Sequence, residues 1–91
     1  MDKQLLKKLI NGTCKHSPGD DFADGMGGTV KVYTVETDSS KCKIWNSSNS
    51  SSFDLLKACT EIADRLLEED DVCEGHFSIG FKEIWFEIVE K

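Results

Sequence analysis

Apolar residues recur along this chain with two different periods, and the switches between them outline its elements. From Asp2 to Ile10 the residues Leu5, Leu6, Leu9 and Ile10 fall on one side of a 3.6-residue repeat. Asp2 stands at the start and Lys7 and Lys8 near the end, the charges that a helix dipole favours, and Asn11-Gly12 supplies a stop. So short a helix is marginal alone and must pack on something. From Thr29 to Glu36 the period falls to two: Val30, Val32 and Thr34 alternate with Lys31, Tyr33 and Val35 in a segment rich in β-branched residues. Asp38-Ser39-Ser40 turns the chain, and Lys41 to Trp45 alternates Cys42 and Ile44 against Lys43 and Trp45, which completes a hairpin.

The helical period returns over Phe53 to Glu69, where Leu55, Cys59, Ile62 and Leu66 form a stripe that Leu56, Ala63 and Leu67 widen. Ser51 and Asp54 stand at the spacing of a capping box, with Asp in place of the usual Glu. Lys57, Glu61 and Arg65 follow at four-residue steps on the polar side. The final segment, His76 to Val89, alternates again but slips once. Phe77, Ile79 and Phe81 share one parity and Ile84, Phe86 and Ile88 the other, so a turn or bulge is implied near Gly80 to Glu83.

These elements predict a single α+β domain over residues 1–91: a short N-terminal helix, a hairpin, a long helix and a second hairpin, with both helices on one face of an antiparallel sheet of about four strands. Residues 13–28 and 46–52 are read as loops. The first holds Pro18, four glycines and Asp20, Asp21 and Asp24, and its length marks it as functional or mobile. The helices cover only one face, so an aromatic patch near Trp85, Tyr33 and Trp45 is expected on the other, where it could serve a partner or a homodimer. A sheet edge offers a second route to self-association.

Length and composition narrow the function classes. With 91 residues there is room for one core and none for a separate cofactor domain. No apolar run approaches the roughly 20 residues of a membrane span, and Met1 to Ile10 shows neither an apolar h-region nor a cleavage site, so a cytoplasmic protein without membrane contact is expected. The net charge of −6 is uneven: acids and bases cancel up to Arg65, while Glu68, Glu69, Asp70, Asp71, Glu74, Glu83, Glu87 and Glu90 face only Lys82 and Lys91 thereafter. Such a surface repels phosphate, which disfavours direct nucleic-acid binding and makes a basic protein surface its natural complement.

The four cysteines, Cys14, Cys42, Cys59 and Cys73, are expected to be reduced thiols in the cytoplasm, with Cys42 and Cys59 buried on apolar faces. Two of them stand beside the only histidines, as Cys14-Lys-His16 and Cys73-Glu-Gly-His76. These four residues are the donors a Cys2His2 zinc site needs, although Cys-x-His is tighter than the usual gap. They also allow a cysteine nucleophile, but so small a domain leaves little volume for a substrate cleft and no catalytic residue is assigned. Asp20 to Asp24 with Gly25 fails as a calcium loop, because Phe22 and Lys31 occupy ligand positions. Gly25-Met26-Gly27-Gly28 precedes a strand, where a phosphate cradle would open a helix.

The leading expectation is therefore a non-enzymatic acidic binding protein, an inhibitor or adaptor. Glu68, Glu69, Asp70, Asp71 and Glu74 would supply the field, and Trp85 or Trp45 the desolvated contact. Where the basic surface ordinarily holds nucleic acid, docking becomes competitive inhibition by charge mimicry, the mode of small inhibitors of phage or mobile-element type. The alternative is a small zinc-stabilised or ligand-binding module built on Cys14, His16, Cys73 and His76 or on the Gly/Asp loop.

Overall fold

The computed structural model describes residues 2–46, 53–69 and 71–91. The expected capping role of Ser51 and the acidic residue Asp70 lie outside them. Helix α1 spans Lys3–Ile10 and α2 Leu55–Glu68. The main sheet has five strands, one more than the periodicity suggests, in the order β1 (Lys15–His16), β4 (Val32–Glu36), β5 (Ser40–Asn46), β7 (Lys82–Glu90) and β6 (Glu74–Ile79), with every neighbouring pair antiparallel. The extra strand comes from the segment read as a loop. That segment also contains a 3-10 turn, Pro18–Asp20, and β2 (Phe22–Ala23), which pairs in a separate two-stranded ribbon with β3 (Thr29–Val30). The strand expected over Thr29 to Glu36 is thus split, its first two residues turning to β2 and Val32–Glu36 forming β4.

Both helices pack on one face of the main sheet. Leu5 and Leu9 of α1 and Cys59, Ile62 and Leu66 of α2 join Ile44, Ile84 and Phe86 of the strands in one buried cluster. The stripe on α2 is narrower than its sequence suggests, since Ala63 is buried but Leu56 and Leu67 stand exposed. Asp54 caps α2 by accepting the Lys57 N–H, and Arg65 in the last turn lies 3.5 Å from Glu61. Arg65 also covers the Phe77 ring at 5.3 Å, which ties the end of α2 to β6. Gly75 makes that approach possible, because a Cβ there would lie 2.9 Å from a Phe86 ring atom and 3.2 Å from the Arg65 guanidinium.

The start of α1 is fixed by one carboxylate. Asp2 accepts the N–H groups of Gln4 and Leu5 as an N-cap, and its other oxygen accepts the hydroxyls of Thr37, Ser39 and Ser40 at the β4–β5 turn. These donors hold its carboxyl well below the usual carboxylate range, Ser40 and Thr37 contributing most. At the other hairpin the slip in alternation is a two-residue turn, with Gly80 at φ +62° and Phe81 beside it. Phe81 is therefore not a strand residue facing the core; it projects fully into solvent.

The opposite face of the sheet is half covered. Residues 17–31 cross it as a strap over β4 and β5. Asp20 reaches Lys41 at 2.5 Å and Lys43 at 3.9 Å, Asp21 accepts the Val32 N–H at 2.8 Å and pairs with His16 at 3.0 Å, and Phe22 meets Trp45 edge-on at 5.9 Å. Val30 of the strap and Val32 of β4 are buried apart from the main core. Lys41 holds Asp20 below its ordinary carboxyl value and is itself pushed up by the same contact.

Candidate functional site

The strap leaves the β6–β7 half of this face open, and strand register decides what is displayed there. Cross-strand pairing places Val32, Trp45, Trp85 and His76 in one row across the sheet. Residues opposed across antiparallel strands stand about 5 Å apart, so the row is continuous. Val32 and Trp45 lie at the strap, whereas Trp85 is 39% exposed and stacks on the His76 ring at a centroid distance of 4.6 Å. The next row runs Thr34, Lys43, Glu87 and Glu74. On the other side of the aromatic row Glu83 binds His76 Nδ1 and accepts the Ser78 hydroxyl. The open half is thus an indole and an imidazole set among Glu74, Glu83 and Glu87, with Lys43 at its margin.

The aromatic expectation is corrected at one residue. Trp45 and Trp85 are neighbours, as a contiguous patch requires, but Tyr33 pairs with Ile44 and so faces the helices, where it packs edge-on against Phe53 at 5.7 Å. His76, Glu83 and Glu87 were not placed at this site by sequence reasoning, although the alternation of Glu83, Trp85 and Glu87 against Ile84, Phe86 and Ile88 carries the signal. Phe22 gave none, because its position depends on how the strap folds back.

The acidic run is divided rather than gathered into one patch. Glu68 and Glu69 join Glu61, Asp64 and Glu74 around Arg65 in a depression of about 520 Å³ between α2 and the start of β6. Asp71 turns to a separate groove of about 930 Å³ that runs past Asp2, Ser40, Leu66 and Ile88. Glu74 belongs to both the depression and the open sheet face. At the end of α2 nearest β6, the guanidinium of Arg65 is the basic group that offsets these carboxylates.

The four zinc candidates do not converge. Cys14 and His16 belong to the β1 edge, Cys73 and His76 to the β6 edge, and β4, β5 and β7 lie between. Four strand spacings amount to about 19 Å, far beyond the reach of one tetrahedral ion. Among the described residues no group of three or more metal-ligating side chains is assembled. Each histidine has another neighbour: His16 faces Asp21 and Tyr33, and His76 faces Glu83 and Trp85. Cys73 is exposed, while Cys14 turns inward against Cys59. The Cys59 thiol donates to Cys14 and holds it below its ordinary value, and both that contact and burial push Cys59 up. Burial pushes Cys42 up as well.

No helix among the described residues is long and apolar enough to cross a membrane. Comparison with protein-family models, with curated proteins and with solved structures finds no match to this chain.

Proposed function

We propose that this protein is a non-enzymatic binding protein that seats Trp85 and the carboxylates around it on a basic surface of another protein. The observation that carries the reading is Trp85 itself. It is a large aromatic side chain, 39% exposed, at the centre of the half-face that neither helix nor strap covers, with Glu74, Glu83 and Glu87 on either side. Burying a tryptophan in a partner pocket supplies hot-spot energy, and a ring of charge that stays wet guides the encounter. The net charge of −6, concentrated after Arg65, extends that field well beyond the contact. Lys and Arg on the partner are the complementary groups, and a nucleic-acid-binding surface is built from them, so docking on such a surface would compete with nucleic acid.

The reading is tested with a Lys- and Arg-rich nucleic-acid-binding domain as probe, by measuring association and dissociation rates as salt is raised. The association rate should fall steeply with ionic strength, and Trp85→Ala should speed dissociation by an amount equal to about 2 kcal/mol or more. An association rate indifferent to salt, or a Trp85→Ala variant that binds as tightly as the parent, refutes it.

A further inference from the structure

We propose that β6 is a docking edge, on which an extended segment of the partner carrying apolar and basic residues is added as the next strand of the sheet. This rests on the binding function above and names its mode of contact. β6 ends the five-stranded order, with β7 as its neighbour on one side. The Cys73 carbonyl accepts the Ile88 N–H at 2.7 Å, so Cys73, Gly75, Phe77 and Ile79 turn their backbone groups toward β7. By the same alternation the N–H and C=O groups of Glu74, His76 and Ser78 point outward, and no backbone partner meets them among the described residues. The strand has six residues and carries no proline and no lysine, two of the devices that ordinarily blunt an edge, and Glu74 at its start is its one acidic residue.

Beside this edge runs a groove under α2, with two chambers of different chemistry. Leu56, Phe77 and Ile79 form the apolar wall of one of about 510 Å³ toward Gly80, with Lys57, Thr60 and Glu61 along its helix side. Glu61, Asp64, Glu68, Glu69 and Glu74 line the other, and Arg65 sits where the two meet. An added strand sends alternate side chains to the same side at about 3.3 Å per residue. On the groove side, an apolar residue then stands over Phe77 and Ile79, and a Lys or Arg two to four positions along faces the carboxylates. The single guanidinium leaves that second chamber anionic, which is what selects a basic occupant.

The probe is an acetylated seven-residue peptide, alternating Lys and Thr in one half and Leu, Thr and Val in the other, made in both chain directions. Amide hydrogen exchange followed by NMR should show Glu74, His76 and Ser78 protected about tenfold or more on binding. N-methylation of alternate peptide amides removes the donors and should abolish binding while leaving the protein untouched. Ser78→Pro places a proline ring where the outward N–H was, keeps the ladder to β7, and should weaken binding about tenfold or more. Glu68→Lys with Glu69→Lys should weaken it again. An N-methylated peptide that binds like its parent, or protection confined to Trp85 and its neighbours, overturns strand addition and leaves the aromatic face as the contact. Binding that survives Trp85→Ala but not N-methylation overturns the face and keeps the edge. Protection of the same amides by the protein alone as its concentration rises, with a doubled mass, assigns the edge to a second copy and also overturns the proposal.

Discussion

Asp2 is the residue whose removal should cost most for its size. One carboxylate caps α1 through Gln4 and Leu5 and also receives three hydroxyls from the β4–β5 turn. Loss of an N-cap costs about 1 kcal/mol, and each hydroxyl bond to a charged acceptor adds up to about 1 kcal/mol once the partly open setting is discounted. Asp2→Ala should therefore destabilise the fold by about 2–4 kcal/mol, a large part of the roughly 5–15 kcal/mol that a domain has. At about 4–8 °C per kcal/mol for a chain of this size, that is a fall in Tm of about 10–30 °C. The charge has its own signature. Because the folded state depresses the Asp2 carboxyl below its unfolded value, the stabilisation is fully present above about pH 4 and is lost as pH falls toward the folded value. Asn at position 2 still caps the helix but carries no charge, so Asp2→Asn should show a flatter acid limb than the parent. Urea melts of the three proteins across pH 2–7 measure both effects. An Asp2→Ala loss below about 1 kcal/mol, or parallel acid limbs for parent and Asp2→Asn, refutes the clamp.

Two further outcomes follow from the packing. Gly75→Ala should destabilise by about 1–3 kcal/mol in a urea melt, because the new methyl group lies within 2.9 Å of Phe86 on the covered face, and an unchanged midpoint would show that Phe86 and Arg65 move aside freely. Iodoacetamide should label exposed Cys73 first and half-buried Cys14 second, while Cys42 and Cys59 react only after denaturation. Simultaneous labelling of all four thiols, followed by mass spectrometry, would contradict the burial.

The long elements were legible because each repeats its period often enough to be read. α2 and β7 are placed by Cys59, Ile62 and Leu66 and by Ile84, Phe86 and Ile88, all at their expected spacing. The two-residue strands β1 and β2 cannot show a period at all, and β3, although it falls within the alternating segment from Thr29, leaves the main sheet because it pairs with β2. Tyr33 was misassigned for a different reason. Its face depends on hairpin register, and pairing with Ile44 turns it toward the helices. The acidic run from Glu68 to Glu74 looks continuous in sequence, yet the chain leaves α2 and enters β6 within it, so Asp71 and Glu69 line different grooves. The site residues Trp45 and Trp85 were legible as a pair, while His76 was read for its nitrogen rather than for its stacking face.

The two edges of the sheet have been treated differently, and this sets an upper limit on assembly. At the β4 side, β1 occupies the backbone, Ser17 donates to the Val32 carbonyl and Asp21 takes the Val32 N–H, so no row of free groups is left to template another strand. Among the described residues, β6 is the edge strand that offers a row of outward backbone groups, whereas β1 at the other end is two residues long. A chain with a single open edge can pair once, with a partner or with its own copy about a twofold axis, and then presents closed edges on both sides. Growth into a fibre needs two open edges per molecule. Ser17 and Asp21 thus close the β4 side, so pairing at β6 would not propagate into a cross-β stack.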